Sequence, residues 1–259
     1  MPATSNLVSR IRAGETLIGT WFTIPHSMVA ETLAQGGFDF LLLDGEHGPV
    51  PPDAISGLLP STELYGSPVI YRVRTNSVDL IRGALDAGVS GVMVPMIENA
   101  TDARNALNAA KYPPLGKRGI GPWRASNYYE DFLGYVAGAN DNTCVILQIE
   151  SAAAVEAIEN IASLDGIDVL FVGPADMAAT MGLTIGASHP TLTGAIERVA
   201  VVAKKHGKAL GIDATTLEFF TRFQEMGFTF FTYSVDTSYI LDSARAASKE
   251  LRALMKPKR

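Results

Sequence analysis

Residues 38–49 read FDFLLLDGEHGP, and the reading of this stretch decides the fold. Apolar side chains run from Phe38 to Leu43, interrupted only by Asp39, and the run stops abruptly in Asp-Gly-Glu-His-Gly-Pro. A strand with one wet face alternates apolar and polar residues. A near-continuous run marks a strand covered on both faces, as in a parallel sheet wrapped by helices. The preceding segment, SMVAETLAQGG from Ser27 to Gly37, spaces its apolar residues as a helix does and ends in glycine. Helix, buried strand and polar strand end therefore form one unit.

The unit recurs along the chain. Strand-like runs lie at Leu17–Phe22, Phe38–Leu43, Pro68–Val73, Gly91–Met96, Cys144–Ile149, Asp168–Val172, Ala209–Ile212 and Phe228–Tyr233. Helical patterns such as VDLIRGALDAG, TDARNALNAAKY and SAAAVEAIENIASLDG separate them. Eight such repeats in 259 residues predict an α/β protein, a (β/α)8 TIM barrel, formed by residues 1–259 as a single domain. Glycines in AQGGFD, LDAGVSG and QEMGFTF read as helix stops at the lower rim. The longest connection, from Glu98 to Asn142, reads as one helix followed by the loop YPPLGKRGIGPWRASNYY. Its GKRGIG part (Gly116–Gly121) follows a helix rather than a strand, which fails the context of a dinucleotide loop. It reads instead as a flexible segment that closes over a substrate. Thr237–Met255 reads as a last amphipathic helix, closing the barrel or packing on another subunit.

Composition excludes several classes. A formal charge of −6 argues against nucleic-acid binding, which needs a basic stripe; only the tail Lys256–Arg259 is notably basic, and it reads as a solvated terminus. No stretch approaches the roughly 20 apolar residues of a membrane span. Cys144 is the only cysteine and opens the apolar run CVILQI, so it reads as a buried small hydrophobe and no internal disulfide is possible. With no secretory leader pattern, the expected compartment is the cytoplasm.

In such a barrel the chemistry sits where strands end. LLLDGEHGP places Asp44, Glu46 and His47 there, VIYRVR places Arg72 and Arg74, LQIE places Gln148 and Glu150, and FVGPAD places Asp176. Glu150 and Asp176 belong to adjacent strands. With water and substrate oxygens they suit a hard divalent cation, Mg2+ or Mn2+. Each acid read alone could instead cap the helix after it. His47, flanked by Asp44 and Glu46, is a candidate base near neutral pH, although a histidine in such a place is often structural. Arg72 needs an anionic partner and can hold a carboxylate or a developing enolate oxygen; Arg74 is the weaker candidate. No lysine stands at the C-terminal end of a strand, so imine chemistry is disfavoured and a metal is left to act as electrophile.

The motifs GTWF, FDFLLLDGEH, VPMIENATDAR, KYPPLGKRGIG, LQIE, GPADMAATMG and VDT occur in this order over nearly the whole chain. In them the chain resembles the class II, metal-dependent pyruvate aldolases of the 4-hydroxy-2-oxoheptanedioate (HpcH/HpaI) aldolase family. The resemblance implies reversible aldol cleavage of 4-hydroxy-2-oxo acids to pyruvate and an aldehyde through an enolate. It implies His47 as general base, Arg72 as transition-state stabiliser, and Glu150 and Asp176 as ligands of Mg2+, Mn2+ or Co2+. It further implies Gln148 and the backbone of Ala175 and Asp176 as the oxo-acid surface. Asp86 matches the acid that makes the histidine more basic; its place low on a helix suggests that it reaches a neighbouring subunit. The resemblance also implies a hexamer, a trimer of dimers that exchange C-terminal helices.

The chain departs from the family in RVRTNS, where the relatives carry a Trp-containing run after the arginine, and in GPWRASNYY. Both departures are read as lying near the substrate mouth. An oxaloacetate decarboxylase or a macrophomate-synthase-like enzyme of the same superfamily remains as a competitor. Phosphoenolpyruvate-mutase or isocitrate-lyase-like chemistry lacks its cysteine or phosphate-gripping residues here. A non-catalytic oxo-acid-binding protein is the alternative of a different class.

Overall fold

The computed structural model describes residues 6–186 and 189–255; the basic tail at 256–259 lies outside the described residues. Strands β1 (Leu17–Phe22), β2 (Phe40–Asp44), β3 (Val69–Arg72) and β4 (Gly91–Val94) form one half of the sheet. Strands β5 (Cys144–Ile149), β6 (Val169–Val172), β7 (Ala209–Asp213) and β8 (Phe230–Val235) form the other. Each pairs in parallel with the next, and β8 returns to β1, which closes an eight-stranded (β/α)8 barrel. β4 stops two residues before the predicted Met96, because Met96 adopts a left-handed φ of 53° and leaves the ladder. β2 and β8 both begin two residues later than predicted, at Phe40 and Phe230.

Strand parity sorts the side chains into two cores. Outward residues such as Leu41, Leu43, Val69, Leu147 and Leu170 pack under the helices. Inward residues Leu17, Phe40, Leu42, Ile70, Ile146 and Phe230 fill the barrel, and Leu7, Val8 and Ile11 of the helix Leu7–Arg12 plug it from below. The Phe40 and Phe230 rings stack at 4.2 Å, and Gly19 leaves room for them: a Cβ there would collide with the Phe40 ring. With the lower barrel filled, the same parity brings Trp21, Asp44, Arg72, Gln148 and Asp213 inward at the upper ends of their strands.

The connection between β4 and β5 holds two helices, Ala100–Ala110 and Phe132–Asn142, rather than the one predicted. The second buries only Ala139 and carries Gly134 and Gly138, so it has no apolar stripe to reveal it. The GKRGIG segment does not close over the mouth of its own barrel. An αβ connection runs along the lower rim, and Arg118 within it is buried with its guanidinium on Asp86 at 2.6 Å. GPWRASNYY shares that rim, since Ala125 N donates to Asp86 O and Arg124 pairs with Glu63, so this departure lies away from the mouth of its own barrel. The helix Asp236–Leu254 matches the last predicted helix, and Asp236 is its only buried residue. The Asp236 carboxylate accepts from Thr23 N at 2.8 Å and Ile24 N at 2.7 Å, tying the helix to the end of β1. Among the described residues no helix is long and apolar enough to cross a membrane.

The close approach at Gly19 is testable. Gly19→Ala is expected to lower stability by about 1–3 kcal/mol through overpacking. In a Phe40→Leu background the added loss is expected to be smaller, because the ring is gone. Urea unfolding of the four proteins reads this coupling, and strictly additive losses would contradict it.

Candidate active site

β2 and β3 are in register so that Asp44 stands opposite Arg72. Arg72 Nε donates to Asp44 Oδ1 at 2.9 Å and Nη2 to Oδ2 at 2.8 Å, a two-pronged pair buried at the barrel mouth. Nη1 lies 3.0 Å from Glu46 Oε2. The buried arginine thus has the anionic partner that its position requires. Arg74 makes only a long 3.4 Å contact to Gly45 O. The guanidinium of Arg72 also lies over the Trp21 ring, 4.3 Å from its centroid. Trp21 Nε1 donates to Asp213 Oδ1 at 2.8 Å, and the buried Thr232 hydroxyl donates to the same oxygen at 2.6 Å.

Burial alone pushes the Asp44 carboxyl up, but the Arg72 bonds and charge, with the N–H groups of Glu46 and His47, hold it below its ordinary value. Those two N–H groups, at 3.0 and 3.2 Å, make Asp44 the pin of the loop that carries His47. With its oxygens so occupied, Asp44 does not pair with the imidazole. The His47 side chain is 72% exposed, and the nearest acid, Glu46, stays 3.9 Å away.

Glu150 extends β5 and is buried. Its Oε1 accepts from Met96 N at 2.6 Å, which accounts for the left-handed turn at Met96, and Oε2 accepts from Gln148 Nε2 at 2.8 Å. Glu150 is therefore not a helix cap. Gly173 lies against it, since a Cβ there would sit 2.9 Å from Oε2. Asp176 lies in the first turn of the helix Pro174–Thr180. Burial raises the Glu150 carboxyl above its ordinary value, and the negative charges of Glu46 and Asp176 push it the same way against Arg72. Burial raises Glu46 likewise, with Asp44 and Asp176 adding to it.

Of the predicted residues, Arg72, Gln148, Glu150, Ala175 and Asp176 line one cavity of about 520 Å3. His47 stands on the loop outside that lining. Asp86 lies on the helix Val78–Ala87, where burial pushes its carboxyl up against the Arg118 bond. Trp21 and Asp213 also line the cavity, and neither was singled out from sequence. Counting inward parity along GTWF and LGID would have found both.

The residues fit a divalent cation. The acids crowd around one arginine, and the buried Gln148 Oε1 has no donor among the described residues, so a bound water or ligand would satisfy it. Among the described residues no group of three or more His, Cys, Asp or Glu side chains could hold a metal. Glu150 and Asp176 would leave the remaining positions to water and substrate, as an open catalytic site requires.

A (β/α)8 barrel with this acid, arginine and glutamine set at its upper mouth is a small-molecule enzyme site. Residues 17–243 match the HpcH/HpaI aldolase/citrate lyase family. The 4-hydroxy-2-oxo-heptane-1,7-dioate aldolase of Salmonella heidelberg is 37% identical, covering 94% of this chain and 93% of its own. A family member of known structure from Burkholderia cenocepacia superposes with a TM-score of 0.90 at 35% identity, covering 96% of this chain and all of that one. Macrophomate synthase is similar at 25% identity and a TM-score of 0.83, covering 97% and 92%. The chain belongs to the HpcH/HpaI aldolase family and is a carbon–carbon lyase of the class II aldolase type.

The Asp44–Arg72 pair makes a pH-dependent prediction. A carboxyl whose folded pKa lies below its unfolded value of about 3.9 adds stability that is complete above that value and is lost as pH falls through the folded one. Asp44→Asn is therefore expected to be less stable than the wild type by about 1–3 kcal/mol at pH 7. The gap should shrink below about pH 3.9. Chemical denaturation across this range measures it, and a gap that widens on acidification would refute the assignment.

Proposed function

We propose that the enzyme cleaves 4-hydroxy-2-oxo acids reversibly to pyruvate and an aldehyde, with Glu150 and Asp176 as the ligands of a divalent cation, Mg2+ or Mn2+. The observation that carries this reading is the gathering of the buried Glu150, the half-buried Glu46 and the exposed Asp176 around the guanidinium of Arg72 at the barrel mouth. When bound, the cation supplies Lewis-acid polarisation of the 2-oxo carbonyl.

The side chains divide the remaining work. Arg72 has five N–H donors; two are spent on Asp44 and Nη1 stands in an ion pair with Glu46, which leaves N–H groups on both terminal nitrogens for an oxygen in the cavity. Those N–H groups meet the negative charge that develops on the 2-oxo oxygen, and the Asp44 fork and Trp21 face keep them from reorganising. Gln148, oriented by Glu150, faces the oxo-acid end. Ala175 and Asp176 lie in the first helical turn, where backbone N–H groups lack intrahelical acceptors and suit the substrate carboxylate. His47 takes the proton of the 4-hydroxyl, directly or through a water. The C3–C4 electron pair then passes into the enolate, the aldehyde leaves, and protonation at C3 yields pyruvate.

Asp86 and the C-terminal helix belong to the assembly in this proposal. Asp86 supports the histidine of a neighbouring subunit, and a homo-oligomer of hexameric type forms through Asp236–Leu254. The exposed Ile240, Leu251 and Leu254 on that helix support this reading. The free thiol of Cys144 is compatible with a cytoplasmic setting.

The test is pyruvate release from 4-hydroxy-2-oxo acids and from oxaloacetate, with Mg2+ or Mn2+ and with EDTA. Cleavage is expected to stop in EDTA and return with metal. His47→Ala is expected to lower kcat by about 10²–10⁴-fold. Glu150→Gln is expected to weaken Mn2+ binding in titration calorimetry as well as activity. Metal-dependent decarboxylation without cleavage of any hydroxy-oxo acid would move the enzyme to the decarboxylase reading, and full activity in metal-free protein would sink the metal role.

A further inference from the structure

The cavity is larger than the oxo-acid end requires, and its far wall has its own chemistry. From Gln148, Glu150 and Asp176 it runs across to Asp213, Phe219 and Arg222. Phe171, Leu192, Ile196 and Phe223 make that wall largely apolar. Asp213 is the inward-facing acid at the end of β7, and it is only partly buried. Both of its hydrogen bonds, from Trp21 and Thr232, fall on Oδ1. Among the described residues Oδ2 accepts none, so the carboxylate is held rigidly with one oxygen left over.

We propose that Asp213 is a specificity-determining residue, an acceptor for a hydroxyl on the aldehyde half of the substrate that selects neutral hydroxylated tails over tails with a second carboxylate. This rests on the aldolase reading above, in which the oxo-acid end occupies Glu150 and Asp176 and the remainder of the substrate extends along the cavity. A hydroxyl reaching Oδ2 makes a charge-assisted hydrogen bond within an apolar wall. A distal carboxylate brought to the same place meets a like charge beside that apolar wall. Arg222 also lines the cavity, but it is exposed on the helix Leu217–Glu225 and makes no ion pair among the described residues. A solvated guanidinium, here beside the Phe223 ring 5.9 Å from its centroid, counts for less than a partly buried carboxylate held by two hydrogen bonds.

The test compares kcat/KM for three substrates: 4,5,6-trihydroxy-2-oxohexanoate, 4-hydroxy-2-oxohexanoate and 4-hydroxy-2-oxoheptane-1,7-dioate. Wild type, Asp213→Asn, Asp213→Leu and Arg222→Ala are measured with each, and pyruvate binding is followed by tryptophan fluorescence. Wild type is expected to favour the trihydroxy acid over the other two by roughly 10- to 100-fold. Asp213→Asn keeps the Oδ1 acceptor for Trp21 and Thr232 but removes the charge, and should erase most of the discrimination against the dioate. Asp213→Leu should erase both preferences. An equal fall on all three substrates in the Asp213 variants would reduce the residue to a prop for Trp21 and overturn the proposal. A wild-type preference for the dioate that disappears in Arg222→Ala would overturn it too. Cleavage of none of the three, with pyruvate still bound, would overturn the aldolase reading itself and this substrate class with it.

Discussion

The Arg72–Asp44 pair is the constraint on which the mouth of the barrel depends. A guanidinium buried at a strand end is tolerable only if its charge is met by well-placed acceptors. The β2–β3 register puts Asp44 directly across from it, so the fork closes with both prongs between 2.8 and 2.9 Å. Asp44 then uses Oδ1 a second time to hold the N–H groups of Glu46 and His47. One carboxylate therefore sets the orientation of the cationic group and the path of the loop that carries the imidazole. Slipping either strand by one residue would turn its member of the pair into the helix layer and leave the other unpaired, because strand parity has a period of two.

Against this one fixed cation the mouth collects Glu46, Glu150 and Asp176, more negative charge than Arg72 neutralises. Acids crowded at a cleft without matching cations mark a place where chemistry is found, and burial raises two of them, Glu46 and Glu150. The hydrogen bonds to Glu150 from Met96 N and Gln148 Nε2 hold its carboxylate without cancelling its charge. The strained φ of Met96 makes the same point, since a left-handed non-glycine residue persists only where its surroundings over-determine it. The lower barrel shows the opposite economy: Phe40 on Phe230, with Leu7, Val8 and Ile11 beneath, is packing alone. Stability at the bottom leaves the top free to hold polar groups that a core could not accept.

Much of this was legible in the sequence because buried parallel strands announce themselves as apolar runs with polar ends. All eight strands and the residues Arg72, Gln148, Glu150 and Asp176 at one cavity followed from that rule, whereas Ala175 came only from the family resemblance and the last helix from its amphipathic pattern. Strand edges shifted where a local turn, such as that at Met96, served another group. The helix Phe132–Asn142 was invisible because it buries a single alanine, so no periodicity records it. The GKRGIG segment misled for a different reason. Glycine-rich composition suggests mobility, yet Arg118 stacks 4.6 Å from the Tyr112 ring and pairs with Asp86, and an αβ connection cannot reach the mouth of its own barrel.

Trp21 and Asp213 show what a reading by residue type overlooks. A tryptophan inside an apolar strand looks like core, and an aspartate followed by Ala-Thr-Thr looks like a turn or cap. Only the closure of the sheet, which makes β8 the neighbour of both β1 and β7, brings them within a hydrogen bond across 192 residues of sequence. Once joined, Asp213 orients the indole, the indole supports the guanidinium face, and Asp44 holds its edge. Arg72, to which the proposed reaction assigns the carbonyl, and Asp213, to which it assigns the rest of the substrate, are thus mechanically connected. A substitution at Asp213 cannot be made without touching the surface on which Arg72 rests, so under the proposed roles substrate range cannot vary freely while the cleavage chemistry is kept.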